Sequence, residues 1–169
     1  MSMMDPAFIT KIRYGNENEA YEALCYVFEK ILNEFENDPN EGFRRIKAIS
    51  LRLLETPRGK IKKVVFKALA KMGFYDREIF EKAYEILLKD PDLEVRKKIE
   101  ESIIEILRRT QRKKEALKDV IKAIAEKGVR ISPVDVVKAA GVDIAKSILG
   151  ELKDEEKSII EFAINQLSA

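Results

Sequence analysis

Apolar residues recur at intervals of three and four along nearly the whole chain, which is the period of an α-helix rather than of a strand. Ala20, Leu24, Val27, Phe28, Ile31, Leu32 and Phe35 predict a helix over about 17–37. Ile46, Ile49, Leu53 and Leu54 predict another near 40–55, and Ile61, Val64, Val65, Ala68, Leu69 and Met72 a third near 58–72, closed by Gly73. Ile79, Phe80, Ala83, Ile86 and Leu87 mark 76–89, and Val95, Ile99, Ile103, Ile106 and Leu107 a helix from about 92. After a polar stretch at Arg108–Lys114, where a break is expected, Leu117, Val120, Ile121 and Ile124 carry a helix that ends at Gly128. Glycine suits these ends because it enters the left-handed region without steric penalty.

Three shorter helices follow. Ser132 is a cap, with Pro133 in the first helical slot and Asp135 in the first turn, and Gly141 closes that helix. Asp143–Leu149 form the next, and Asp154 opens the last, which carries Ile159, Ile160, Phe162, Ala163 and Leu167. At the front, Asp5-Pro6 and Gly15 bracket one short helix. Connections of two to six residues make sequential helices antiparallel neighbours. The fold class is all-α.

Three helix starts share one pattern: a proline, three residues, a large apolar residue and two cations. They are Pro39 with Phe43-Arg44-Arg45, Pro57 with Ile61-Lys62-Lys63, and Pro91 with Val95-Arg96-Lys97. The second and third lie 34 residues apart, which is a helix-pair period. On this pattern each proline starts the second helix of a pair and the apolar residue is its first core contact. The stretch Leu87-Leu88-Lys89-Asp90-Pro91-Asp92-Leu93-Glu94-Val95-Arg96 resembles the inter-helix turn of HEAT repeats, and Ala68-Leu69-Ala70-Lys71-Met72-Gly73 looks like the close of their second helix. The resemblance covers about residues 38–107 and is strongest at 87–96. It implies a right-handed α-α superhelix of antiparallel helix pairs over about 1–128, with 129–169 as a short helical C-terminal cap in one all-α domain. It also implies that Asp90 and Arg96 tie neighbouring repeats together.

The 169 residues are 37% charged, against the usual quarter, yet the net charge is only +2, which predicts no general affinity for polyanions. Histidine and tryptophan are absent and glutamine is scarce, a balance expected of a hyperthermophile protein. Cys25 is the lone cysteine and lies in an apolar run, so it reads as a small buried hydrophobe, without a histidine to activate it. No disulfide, signal peptide or long apolar span is expected, which makes the cytoplasm the default location. No metal cluster or cofactor motif can be assembled from these residues, and no carboxylate pair stands out for acid–base chemistry, so a non-enzymatic role is expected. The pair of helices around Gly141 admits a helix-turn-helix reading. Its second helix, however, offers only Lys146 and Ser147 to bases, so a helix pair closing the end of the stack is the preferred reading.

Charge is unevenly spread. Residues 58–73 hold six cations and no acid, 74–95 hold seven acids and three cations, and 96–114 return to eight cations and three acids. Lys60, Lys63, Lys67 and Lys71 fall on one helical stripe, and Arg108, Arg109, Arg112, Lys113 and Lys114 crowd the expected break. Two readings follow. One is a HEAT-like scaffold or adaptor that binds another macromolecule, foremost a protein, through its second helices. The alternative is a nucleic-acid-binding solenoid that uses Lys60, Lys63, Lys67 and Lys71 with Arg108, Arg109, Arg112 and Lys113. For the lysine row itself, pairing outward from the turn at 73–75 predicts an ion-pair ladder of Lys71 with Glu78, Lys67 with Glu81 and Lys63 with Glu85.

Overall fold

The computed structural model describes residues 6–169, and within them every regular element is helical. The α-helices are α1 (Pro6–Tyr14), α2 (Glu17–Glu34), α3 (Pro39–Leu53), α4 (Gly59–Met72), α5 (Arg77–Lys89), α6 (Leu93–Arg109), α7 (Lys113–Lys127), α8 (Pro133–Ala140), α9 (Val142–Ile148) and α10 (Asp154–Ser168). Asp5, the expected boundary of the first helix, lies outside the described residues. The breaks fall where local chemistry demands them. Gly73 and Gly128 take left-handed backbone (φ 71° and 69°) and donate their amides back into α4 and α7. The Ser132 side chain accepts from the Asp135 amide with Pro133 behind it, and the expected break after α6 occupies Thr110–Arg112.

Each odd-numbered helix from α1 to α7 packs against the even-numbered helix that follows it. The even helices then stack on one another in sequence, α2 on α4, α4 on α6, α6 on α8 and α8 on α10, and α4 against α6 is the most extensive contact in the molecule. A Cβ built on Gly59 would lie 2.8 Å from Val95 Cγ2, and one on Gly73 would lie 2.6 Å from Arg109 Cβ. Gly59 opens α4 and Gly73 caps its far end, and each meets the residue thirty-six positions on, at opposite ends of α6, so α4 and α6 run parallel. Lys60 Nζ donates to Asn18 Oδ1 at 3.2 Å at the start of α2 and α4, while Phe35 and Met72, at their far ends, both approach Gly42, so α2 is parallel to α4 as well.

The odd helices meet differently. Lys47 of α3 reaches Asp76 (2.8 Å) and Glu78 (3.1 Å) at the start of α5, and Lys82 of α5 reaches Glu55 (3.4 Å). Long side chains bridge this layer, whereas backbones approach through glycine in the even one. Pro57 and Pro91 each precede the second helix of a pair, as the pattern predicts. Pro39 does not: it opens α3, the first helix of its pair, because the Asp38 cap and proline start any helix regardless of layer.

The tail docks through Val136, Val137 and Ile148, all fully buried. Of the apolar positions that mark the last helix, Ile160 and Ala163 are buried, whereas Phe162 is 56% exposed. The apolar cluster Ile159-Ile160-Phe162-Ala163 fits two helix phases, and the neighbouring α8 selects one of them. Helix α9 has seven residues, with Ala145 and Ile148 turned into the core.

Gly73→Ala is expected to destabilise the fold by about 2–3 kcal/mol, because about 1 kcal/mol of left-handed strain adds to displacement of Arg109. Gly128→Ala has the same φ but open space around it, so it should lose only about 1 kcal/mol in urea denaturation. Equal losses would show that the close approach of α6 is absent.

Candidate macromolecule-binding surface

The turn at 87–96 places Asp90 at the seam between helix pairs, but Arg96, expected to share that tie, bonds within its own pair. Asp90 is buried; its Oδ1 accepts the Asp92 amide at 2.9 Å, and Oδ2 accepts from Lys62 Nζ on the preceding pair. Arg96 donates from Nη1 to the Asp90 carbonyl at 2.7 Å, bracing the turn from inside its own pair. The tie across the seam is therefore Asp90 to Lys62, with Arg96 holding Asp90 in place. Val95 beneath them is fully buried. Burial alone pushes the Asp90 carboxyl up, but the hydrogen bonds from Lys62 and the Asp92 amide and the charges of Lys62 and Arg96 outweigh it. The net effect holds its pKa below the ordinary value. Thr56 and Thr110 occupy the equivalent turns and accept the amides of Arg58 (3.2 Å) and Arg112 (3.1 Å) two residues on. A hydroxyl closes the turn as an aspartate does, but it carries no charge to a neighbouring pair.

The lysine row has no ladder. Glu78 pairs with Lys47, Glu81 with Lys127 (2.6 Å) and Glu85 with Lys82 (3.9 Å), all away from α4. The expectation failed because α5 packs on α6, in the layer opposite the row, while α4 is flanked by α2, α3 and α6. Among the described residues no carboxylate lies within 4.0 Å of the ammonium of Lys63, Lys67 or Lys71, and Lys60 meets only Asn18. Lys60, Lys67 and Lys71 are exposed and Lys63 is half-exposed. Beside the row runs an open groove of about 450 Å³ between α4 and α6, lined by Lys67, Ala70 and Lys71 on one side and Lys98, Glu101, Ser102, Glu105 and Arg109 on the other.

The 108–114 cluster is mostly committed to the fold. Arg109 donates to Glu105 at 2.6 Å and from Nη1 to the Lys71 carbonyl at 3.0 Å, capping α4 where the helix dipole favours a cation. Lys113 caps α6 through the carbonyls of Leu107 (3.0 Å) and Arg108. Arg108 pairs with Glu105, and Arg112 pairs with Glu115 while its guanidinium lies 5.1 Å from the centre of the Tyr75 ring. The cluster does not join the lysine row as one basic surface, since only Arg109 reaches α4.

Two groups that bind helices together escaped the sequence reading. Lys62 lies on the side of the α4 wheel opposite the stripe, and that misplaced lysine was the available signal for a buried pair. The second group is Asp119, which accepts from Tyr75 and from Tyr84 (2.8 Å), joining α5 to α7. Burial, followed by the Asp119 hydrogen bond and charge, pushes the Tyr75 hydroxyl pKa well up, and the same causes raise that of Tyr84 further. Both remain neutral donors in ordinary solution. Nothing in the spacing of these three residues announces the cluster.

No protein-family model, curated protein or solved structure matches this chain. Among the described residues, no helix is long and apolar enough to cross a membrane.

Asp90→Asn removes the charge that Lys62 needs while it is only 13% exposed, and should destabilise by about 3 kcal/mol near neutral pH. The Asp90 pKa is lowered on folding, so its contribution is present above the unfolded carboxylate pKa and is lost as pH falls through the folded one. Denaturation across an acid series should show the gap between wild type and variant narrowing on acidification. A gap that stays constant would mean that the ionised pair does not hold the seam.

Proposed function

We propose that the chain is a HEAT-like, right-handed α-solenoid with a short C-terminal helical cap, acting as a non-catalytic scaffold that binds a protein through its even helices. A stack whose even layer is closely packed and whose odd layer is bridged by long side chains bends toward the even layer. That makes the face of α2, α4 and α6 concave, the shape such stacks use for extended partners. The observation that carries the reading is the uncommitted charge of both signs on this face: Lys63, Lys67 and Lys71 on α4, Glu22 and Glu29 on α2, and Glu101 on α6, none with an ion-pair partner among the described residues. Mixed fixed charge selects and orients a protein surface and opposes a uniform polyanion.

The second reading, a nucleic-acid site, draws on the same unpaired lysines. It is the weaker of the two because Arg109, Arg112 and Lys113 are engaged within the fold and because α2, beside the row, holds five acids and one lysine. Phe66, the ring within α4, is fully buried and offers no stacking platform.

A photo-crosslinking residue placed at Tyr26, Lys67 or Glu101 on the even face should capture a discrete protein partner from native cells in a nuclease-resistant manner. The same probe at Lys122, exposed on α7, should capture far less. Capture that disappears with nuclease, or that favours Lys122, would contradict the scaffold reading.

A further inference from the structure

The lysine stripe of α4 has a shape as well as a charge. Lys60, Lys63, Lys67 and Lys71 follow one another along three turns, roughly 16 Å at 1.5 Å per residue. Like charges at this spacing oppose helix formation by a few tenths of a kcal/mol each, and the folded chain supplies no carboxylate to the last three. Across the groove, Lys98 is also unpaired, and Glu105 is neutralised by Arg108 and Arg109, so the cations of the two walls outnumber their available acids. The strip between the walls is formed by Ala70 and Ser102, whose short side chains leave room for a backbone to come close.

We propose that this groove receives the acidic face of a helix from a protein partner, with carboxylates spaced i, i+3, i+7 and i+11 to meet the row. The proposal rests on the scaffold reading and narrows it to one face and one chemistry. A helix fits because side chains three and four residues apart on its surface stand about 5–6 Å apart, the same interval as the lysines they would meet. A nucleic-acid strand fits less well. In the register set by Asn18 and Lys60, Glu22 and Glu29 border the row from α2, so a continuous phosphate backbone would meet them, whereas a helix carries its carboxylates on one side only. Ion pairs formed in the groove would be partly shielded from solvent and would govern association rate and specificity more than total affinity.

The test uses the full chain and three probes: a 20-residue alanine-based peptide with glutamates at that spacing, the same peptide with glutamines, and a 20-nucleotide oligo(dT). Binding is read by fluorescence anisotropy at low and moderate salt. The variants are Lys63→Gln/Lys67→Gln/Lys71→Gln and, as a control for total charge, Lys114→Gln/Lys138→Gln/Lys146→Gln. The glutamate peptide should bind wild type and control alike, lose at least tenfold in affinity to the row variant, and weaken as salt rises. The glutamine peptide should not compete. The row variant should melt at the same temperature as wild type or higher, because only repulsion has been removed, so loss of binding cannot be loss of fold. Failure of the glutamate peptide to bind, or equal binding to the row variant, overturns the proposal. Oligo(dT) binding that depends on the row in the absence of peptide binding overturns it in favour of nucleic acid. If even-face crosslinking to a protein persists unchanged in the row variant, the acidic-helix proposal falls while the scaffold reading stands; if crosslinking to protein is absent altogether, both fall.

Discussion

The parallel contact between α4 and α6 is the constraint on which the rest of the structure depends. Two glycines set its distance, Gly59 against Val95 and Gly73 against Arg109, and a side chain at either position would force the helices apart. Once α6 is seated, the rotation of α4 about its axis is no longer free. Lys62 is carried to the seam, where buried Asp90 receives it, and Ala70 and Phe66 go into the packed flank. Lys63, Lys67 and Lys71 are left on the opposite side with nothing to pair with. The unpaired row is therefore a consequence of how α4 packs on α6, and it persists because the burial of Ile61, Val65 and Leu69 exceeds the small repulsion along the stripe.

The same constraint separates two kinds of cation. Lys62, Arg96, Arg109 and Lys113 end on carboxylates or on carbonyls at helix ends and turns, and they serve the fold. Lys67, Lys71 and Lys98 line one open groove, and Lys63 stands on the same stripe without an ion-pair partner. Net charge near zero hides this division, since 30 acids nearly balance 32 cations over the whole chain while α4 itself holds no acid. The α5–α7 side shows the opposite treatment: there Asp119 collects two tyrosine hydroxyls, and Lys127 both pairs with Glu81 and lies 5.4 Å from the centre of the Tyr84 ring.

Local chemistry made the helices legible and left their partners obscure. Gly73, Gly128, the Ser132-Pro133 start and the break at 110–112 are encoded in single residues, and each stands where the pattern places it. Val95 is buried as the repeat turn implies. The ion-pair ladder failed because periodicity says which side of a helix is buried and is silent on which neighbour buries it. A short turn suggested α5 beside α4, and the fold uses α6. Phe162 is exposed for a related reason, since Ile159, Ile160 and Ala163 alone define a good apolar face and the aromatic was not needed to complete it. The Tyr75–Tyr84–Asp119 cluster was invisible because its members stand 35 and 44 residues apart with no repeat to align them.

Adjacent lysines on α4 have opposite fates, one spent on the fold and the others held free. Residue-by-residue reactivity of the native protein toward a small acylating reagent, read by mass spectrometry, measures this directly. Lys62 should react slowly because its ammonium is held by Asp90, and Lys63, Lys67 and Lys71 should react at the rates of exposed lysines such as Lys138. Protection of Lys63, Lys67 and Lys71 equal to that of Lys62 would contradict the account, because it would place carboxylates or packed surface where the structure has open solvent.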